Sequence, residues 1–303
     1  MLVTGGAGFI GSNAVRILCD GGHDVVVIDN LSFGYESFVD QRARFVCASF
    51  DDHAVLDREL PGIDVVMHFA ASSIIQFSFE HPAEYVNNNV SRGVVLLEAM
   101  RRHAVPRIVF SSTASVYGEP SRIPVDEDDP KHPIQLYGAS KLSFEMILSG
   151  YYYSFGINST TFRYFNAYGP NDEQQPVTRA VPRWIKAALR DEPLVLYWGG
   201  EHLRDYVFVE DIVHAHMLAA EVDGCRTYNL GSGTGVIMRE LAQEIVDLTG
   251  SNSPLVDGGE RPGDVSRLIA NTERVKRELH WAPRVPREEA LKRTIAFYRS
   301  RLN

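Results

Sequence analysis

Cysteine is scarce. The 303 residues hold three, Cys19, Cys47 and Cys225, far apart and forming no C-x-x-C pair. That excludes a disulfide framework and a cysteine-ligated zinc site, and it suits a reducing compartment. Positive charge is also short. Thirty lysines and arginines stand against 39 aspartates and glutamates, a net charge of −9, with no basic block. A chain of that balance is not built for nucleic acid or for an anionic membrane surface. No apolar run reaches the length that spans a bilayer. Met1 leads directly into strand-forming residues without a secretory leader, so a cytoplasmic location and a short first strand are expected. The ten histidines show no H-E-x-x-H spacing, and His214 and His216 lie two apart on an expected helix, pointing to different faces. No metal is expected. Internal repeats and low-complexity linkers are lacking, and the length suits one or two domains.

A glycine turn near the start is what the chain does have. Leu2-Val3-Thr4 enters it, Gly5, Gly8 and Gly11 sit three residues apart within it, and Ala14-Val15-Arg16-Ile17-Leu18 leaves it with helical periodicity. The pattern reads as strand, tight turn, helix. Glycine serves where φ is positive or where backbone must approach closely, and the free N–H groups of a helix start suit a pyrophosphate. The spacing differs from G-x-G-x-x-G, so the turn alone leaves a structural loop open as the alternative. Val25-Val26-Val27-Ile28-Asp29 reads as a parallel strand buried on both faces. It ends in a carboxylate 18 positions past Gly11. An acidic residue about twenty positions past the glycines accepts from the adenosine ribose of NAD and would repel the 2′-phosphate of NADP. Asp29 is therefore read as a ribose contact rather than a cap, with NAD as cofactor.

Further strands are expected at Arg44–Ala48, Asp64–Ala71, Arg107–Thr113 and Thr160–Asn166, with a helix over Asn89–Arg102. Alternating strands and helices predict an α/β fold of the Rossmann type, a doubly wound parallel sheet whose ligands lie beyond the carboxyl ends of the strands. Gly5, Asp29, Ala70-Ala71 and Ser111-Ser112-Thr113 all fall at such ends. Tyr137 and Lys141 open a later helix, four apart and so on one face. A lysine ammonium beside a phenol lowers its pKa and makes it a usable acid/base, although such a pair also arises by chance on solvated helices. The second half is less regular. Strands are expected at Leu194–Tyr197 and Arg204–Val209, a helix capped by Asp211, and helices over Arg239–Thr249 and Arg287–Arg299. The division expected is a cofactor domain over residues 1–165, to which 205–232 returns, and a smaller α/β substrate domain over 166–303.

Together these pieces resemble the extended short-chain dehydrogenase/reductase family, and within it the nucleotide-sugar epimerases of the UDP-glucose 4-epimerase type. The resemblance runs through Thr4-Gly5-Gly6-Ala7-Gly8-Phe9-Ile10-Gly11, Asp29-Asn30-Leu31-Ser32, His68-Phe69-Ala70-Ala71 and Asn88-Asn89-Val90. It continues through Ser111 to Gly118, Tyr137-x-x-x-Lys141, Arg163 to Asn166, Arg204 to Asp211, and Arg261-Pro262-Gly263-Asp264. It implies Tyr137 as the base at the sugar hydroxyl, Lys141 as the group that holds the nicotinamide ribose and lowers the tyrosine pKa, and Thr113 as a hydrogen-bond partner of the reacting oxygen. It implies an NAD site formed by Gly5, Gly8, Phe9, Ile10, Gly11, Asp29, Asn30, Ser32, Ser49, Phe50, Phe69, Ala70, Ala71, Asn89, Ser111, Tyr137, Lys141 and Tyr164. The substrate site so implied takes in Ser73, Thr113, Tyr137, Asn166, Arg179, Val181, Arg204, Arg261 and Asp264. Arginine forks at 204 and 261 suit the phosphate oxygens of a UDP-sugar. A homodimer is also implied.

Three departures bear on the reaction. Ala114 and Ser115 follow Thr113, where dehydratases and decarboxylases of the family carry carboxylates, so elimination and decarboxylation are disfavoured. Ser49 stands where many relatives have an aspartate at adenine, and Trp198 where glycine is common. The expected reaction is C4 epimerisation of a UDP-hexose through a 4-keto intermediate. UDP-glucuronate is the alternative substrate, with Arg179 as the cation for its carboxylate or merely a solvated loop residue. A non-catalytic NAD-binding regulator on the same fold is a third reading, and the retention of Thr113, Tyr137 and Lys141 stands against it.

Overall fold

The computed structural model describes residues 1–173, 179–261 and 265–301, with only the backbone of Ile75 and Gln76 described. Short strands apolar on both faces need cover on both sides, and the first half supplies six: β1 (Leu2–Thr4), β2 (Val26–Asp29), β3 (Arg44–Cys47), β4 (Val65–His68), β5 (Arg107–Thr113) and β6 (Asn158–Tyr164). The chain then forms β7 (Asn166–Tyr168), β8 (Leu194–Leu196), β9 (Leu203–Phe208), β10 (Cys225–Leu230), β11 (Gly235–Ile237), β12 (Leu255–Asp257) and β13 (Arg267–Leu268). A seven-stranded parallel sheet runs in the order β10-β6-β5-β4-β1-β2-β3. Strand order reverses between β1 and β4, and that switch point opens a crevice at the carboxyl ends.

Helices α1 (Phe9–Asp20), α2 (His53–Glu59), α3 (Ile75–Glu80), α4 (Pro82–Val86), α5 (Arg92–Arg102) and α6 (Leu136–Phe155) belong to the first half. The second half adds α7 (Ala180–Ala188), α8 (Val209–Ala219), α9 (Met238–Thr249), α10 (Glu273–Leu279) and α11 (Arg287–Arg299). Side chains alternate along each strand. Val3, Val27, Met67 and Val109 therefore meet α1 and α8 on one face, while Leu2, Ile28, Val66 and Ile108 meet α2, α5 and α6 on the other. A separate core of Val181, Trp184, Ile185, Leu241, Ile245, Leu291 and Ile295 joins α7, α9 and α11. Beside it β9 pairs with β7, β11 and β13.

Several local expectations change. The strand expected over 160–166 ends at Tyr164, and Asn166 opens β7, which leaves the large sheet for β9. The helix expected from Asn89 begins as a π turn over Asn87–Ser91 before α5. Asp211 does not cap α8. It lies in the first turn, and its carboxylate accepts from the N–H groups of Arg284 and Val285, tying the chain after α10 to the helix. Residues 205–208 of the expected return belong to the smaller sheet, whereas Val275, Leu279 and Trp281, expected with the second unit, are buried in the large sheet's core.

Under the carboxyl ends of β5 and β6 lies a buried polar network. Arg163 of β6 donates from Nε and NH2 to the Glu145 carboxylate of α6, the closest contact being 2.7 Å. Its NH1 reaches Tyr117 Oη at 2.8 Å and the Glu127 carbonyl at 3.0 Å. Ser112 of β5 donates to the same Glu145, and Tyr117 donates to Asn229 of β10 at 2.7 Å. Breaking a buried pair by removing one partner strands a charge. Arg163→Met should cost about 3–5 kcal/mol, read as a lower midpoint in urea. Arg163→Met combined with Glu145→Leu should recover most of the loss.

Candidate active site

The glycine turn is shaped by its own backbone. Gly5 has φ +71°, and a Cβ there would lie 2.6 Å from the N of Ala70. At Gly11 a Cβ would fall 2.1 Å from the Gly5 carbonyl oxygen. These two glycines let β1, the turn and the strand-end loop after β4 close on one another. Gly8 differs, because a Cβ there would meet only the Gly5 oxygen at 3.4 Å. Its missing side chain leaves the start of α1 bare toward a cleft of about 300 Å³ that Gly8 itself lines. No side chain caps α1 and no acidic residue lies in its first turn. Bare N–H groups at the positive end of a helix, in a cradle that a Cβ would fill, fit a pyrophosphate.

The same cleft is lined by Phe9, Ile10, Gly11, Asp29, Asn30, Ser32, Phe50, Phe69, Ala70, Ala71, Ser111, Tyr137, Lys141 and Tyr164. Asp29 accepts from the N–H of Ala7 at 3.0 Å and of Leu31 at 2.8 Å, which orients the carboxylate at the end of β2. Burial raises its pKa and those two donors oppose the rise. Asn30 accepts from the Ser32 N–H and hydroxyl, shaping the next turn.

Tyr137, Lys141 and Glu145 follow one another at four-residue spacing along one face of α6. Tyr137 lines the cofactor cleft and also a second cavity of about 690 Å³, so it stands where the two meet. Thr113, at the end of β5, lines the second. Lys141 is buried, and its Nζ donates to the Ser111 carbonyl at 2.9 Å. Burial pushes its pKa down to about 7, against the pull of Glu145. The tyrosine pKa is not lowered overall, contrary to expectation. Burial holds Tyr137 above the ordinary phenol value, and the groups that oppose it are the Thr113 hydroxyl and the Arg179 guanidinium.

The second cavity is lined by Ser73, Asn166, Val181 and four arginines, Arg179, Arg183, Arg204 and Arg261. Among the described residues that line it there is no carboxylate. Such a lining favours a multiply charged phosphate ester and offers no general base of the kind that drives elimination. The hydroxyl of Ser115 receives a hydrogen bond from Thr113 at 3.1 Å where a carboxylate would otherwise stand.

Residues 1–231 match the NAD dependent epimerase/dehydratase family. The chain belongs to that family. It is 39% identical over 299 residues to the UDP-glucose 4-epimerase of Corynebacterium glutamicum, covering 93% of this chain and 90% of that one. Its structure is similar to that of UDP-glucose 4-epimerase with UDP-glucose from Thermotoga maritima, with a TM-score of 0.96, 36% identity, and coverage of 100% and 99%. It is similar also to a Thermus thermophilus UDP-glucose 4-epimerase in complex with NAD, with a TM-score of 0.90, 33% identity and coverage of 98% of each chain. As in the rest of this NAD-dependent family, the cofactor is NAD, and the cleft at the glycine turn fits it.

Not every expected residue of this family member reaches the clefts. Ser49 turns its hydroxyl to Asp51, and its neighbours Ala48 and Phe50 line the cofactor cleft instead. Asn89 is buried behind the cleft. It accepts from the Ser72 N–H at 2.8 Å and donates to the Ser72 carbonyl at 2.9 Å and the Ser140 hydroxyl at 3.2 Å, so it fastens the cleft wall to α6. Arg179 does reach both clefts, and there it forms a close ion pair with the buried carboxylate of Asp172 rather than standing as a solvated loop residue. Asp264 lies outside the described residues. Arg183 is not among the expected site residues. It lines the second cavity and lies 5.2 Å from the Tyr197 ring centroid, and the only signal was its place off the apolar face of an amphipathic helix. Among the described residues no group of three or more His, Cys, Asp or Glu side chains is placed to hold a metal, and no helix is long and apolar enough to cross a membrane.

Gly8 and Gly11 should separate folding from cofactor binding. Gly8→Ala is expected to keep the melting temperature of the cofactor-free protein and to lower NAD affinity by roughly tenfold or more. Gly11→Ala should lower the melting temperature itself. Cofactor titration and thermal melts of both variants check this.

Proposed function

We propose that this protein interconverts UDP-glucose and UDP-galactose by NAD-dependent epimerisation at C4 through a 4-keto intermediate. The observation that supports it most is the position of Tyr137, which lines both the cofactor cleft and the arginine-lined cavity. A group there meets the sugar at one end of its nucleotide and the cofactor at once. Gly5, Gly8, Gly11 and the start of α1 would hold the NAD pyrophosphate, and Asp29 the adenosine ribose. Bound NAD would accept the hydride from C4 and give it back. Tyr137, as phenolate, would take the proton from the 4-hydroxyl as C4 is oxidised, and Thr113 would hold the same oxygen by a hydrogen bond. Lys141, buried beneath, would carry the positive charge that the phenolate needs. Return of the hydride to the opposite face and of the proton to oxygen gives the epimer. Asn166, Arg204 and Arg261 would hold the nucleotide diphosphate.

Arg179 argues for a neutral sugar. A glucuronate carboxylate would compete with Asp172 for it, and Asp172 is almost fully buried. Met146 and Tyr153 on α6 are 71% and 80% exposed, with Val86 at the end of α4 exposed as well. Large apolar side chains in the open suit the pairing of two copies. Met146→Glu with Tyr153→Glu should give monomers by sedimentation, whereas an unchanged mass would place any pairing elsewhere.

Purified protein supplied with UDP-glucose and NAD should form UDP-galactose, and with UDP-glucuronate should form little C4 epimer. Tyr137→Phe should lower kcat by about 10²–10⁴ with NAD content unchanged. No turnover of UDP-glucose by the intact protein would overturn the proposal.

A further inference from the structure

Trp198 stands where glycine is common, and the backbone explains the usual glycine. Trp198, Gly199 and Gly200 have φ of 54°, 60° and 78°, three consecutive residues in the left-handed region. For a bulky residue that conformation is costly and persists only where its surroundings compensate. Here they do so through two contacts on the wall of the arginine-lined cavity. The indole Nε1 donates to the main-chain carbonyl of Arg261 at 3.3 Å. The indole ring stacks on His202, with centroids 5.7 Å apart and planes at 23°. His202 Nδ1 in turn lies 3.2 Å from NH2 of Arg204. The Trp198 N–H also donates to the Gly259 carbonyl at 2.8 Å, so the turn is pinned to the segment that carries Arg261.

We propose that Trp198 is a positioning residue that sets the distance between Arg204 and Arg261, and so determines affinity for the nucleotide diphosphate. Arg204 comes from β9 and Arg261 from the loop after β12, two segments far apart in sequence. The indole bridges them, holding one by its main chain and the other through His202. Two forks must meet oxygens of one diphosphate at a fixed separation, and a wall that presets this separation spares the ligand that ordering. The inference rests on the UDP-sugar reading above. It assigns Trp198 and His202 to ligand affinity and leaves the chemistry at Tyr137 untouched.

The test uses the intact NAD-loaded protein, with UDP binding by calorimetry and UDP-glucose turnover measured in parallel. Trp198→Gly removes the indole while keeping the left-handed turn accessible. It should keep its melting temperature and raise both the UDP Kd and the UDP-glucose KM about five- to tenfold, with kcat nearly unchanged. Trp198→Phe keeps a ring to stack and loses the Nε1 donor, and should fall between the two. His202→Ala should match Trp198→Gly, and the double variant should be little worse than either, because residues acting as one unit are not additive. Trp184 and Trp281 are buried at 2% and 0% exposure, so a UDP-dependent change in tryptophan emission that Trp198→Phe abolishes would further support the assignment. Normal UDP Kd and KM in Trp198→Gly and His202→Ala, or fully additive losses in the double variant, would overturn it. If the wild type binds UDP and turns over UDP-glucose while these variants are unaffected, only this inference falls. If the wild type does neither, the UDP-sugar reading falls and takes the inference with it.

Discussion

The ion pair between Arg163 and Glu145 decides where the chemistry can happen. Both side chains are more than nine-tenths buried, and a buried charge is tolerated only when its partners are fixed around it. Glu145 sits on the face of α6 that also carries Tyr137 and Lys141, so whatever locks Glu145 locks the two residues above it. Ser112 donates to the same carboxylate from β5, one residue before Thr113. The pair thus registers the helix that carries the phenol against the strand that carries the hydroxyl. Tyr117 and Asn229 extend the same network to β10 at the sheet's edge. The strands bring these ends together, and the buried charges give them one relative position.

Much of the scaffold was legible because the signals are local. Val25 to Ile28 and Ile108 to Phe110 are short apolar runs that read as strands, and alternation puts Ile28 and Val27 on opposite faces, each under its own layer of helices. The glycine turn was legible for a similar reason, since Gly5 and Gly11 answer to atoms a few residues away or across one strand pair. The side chains that complete the site were harder to place. Asn89 looked like a cofactor contact because it belongs to a family motif, but a π turn rotates it onto Ser72 and Ser140 behind the cleft wall. Ser49 is near the right place in the chain, and a neighbouring carboxylate takes its hydroxyl. Helical spacing reports the proximity of Lys141 to Tyr137 and says nothing of desolvation, which here moves both groups toward their neutral forms. Asp211 reads as a cap in the sequence because its tie to Arg284 and Val285 spans more than seventy residues and leaves no local signal.

The two cavities differ in charge as much as in shape. Asp29 and Glu84 line the cofactor cleft, whereas the larger cavity presents four arginines and no described acid. In a low-dielectric wall, fixed charges of one sign raise the local concentration of the opposite one. Arg204 illustrates how such cations are kept in place by backbone: main-chain carbonyls of Leu203, Val265 and Ser266 receive its N–H groups. Carbonyl dipoles orient a guanidinium without removing its positive charge.

That arrangement has a cost in discrimination. A diphosphate is chemically the same before, during and after a change at C4, so contacts made to it stabilise substrate, intermediate and product alike. The arginines can hold the molecule tightly, but they cannot tell which way round the sugar lies. Free UDP would carry the same anchor without the sugar and occupy the cavity as a competitor. An enzyme built this way works at a rate tied to the ratio of nucleotide sugar to bare nucleotide around it, and the choice of face falls to the small set of groups around Tyr137.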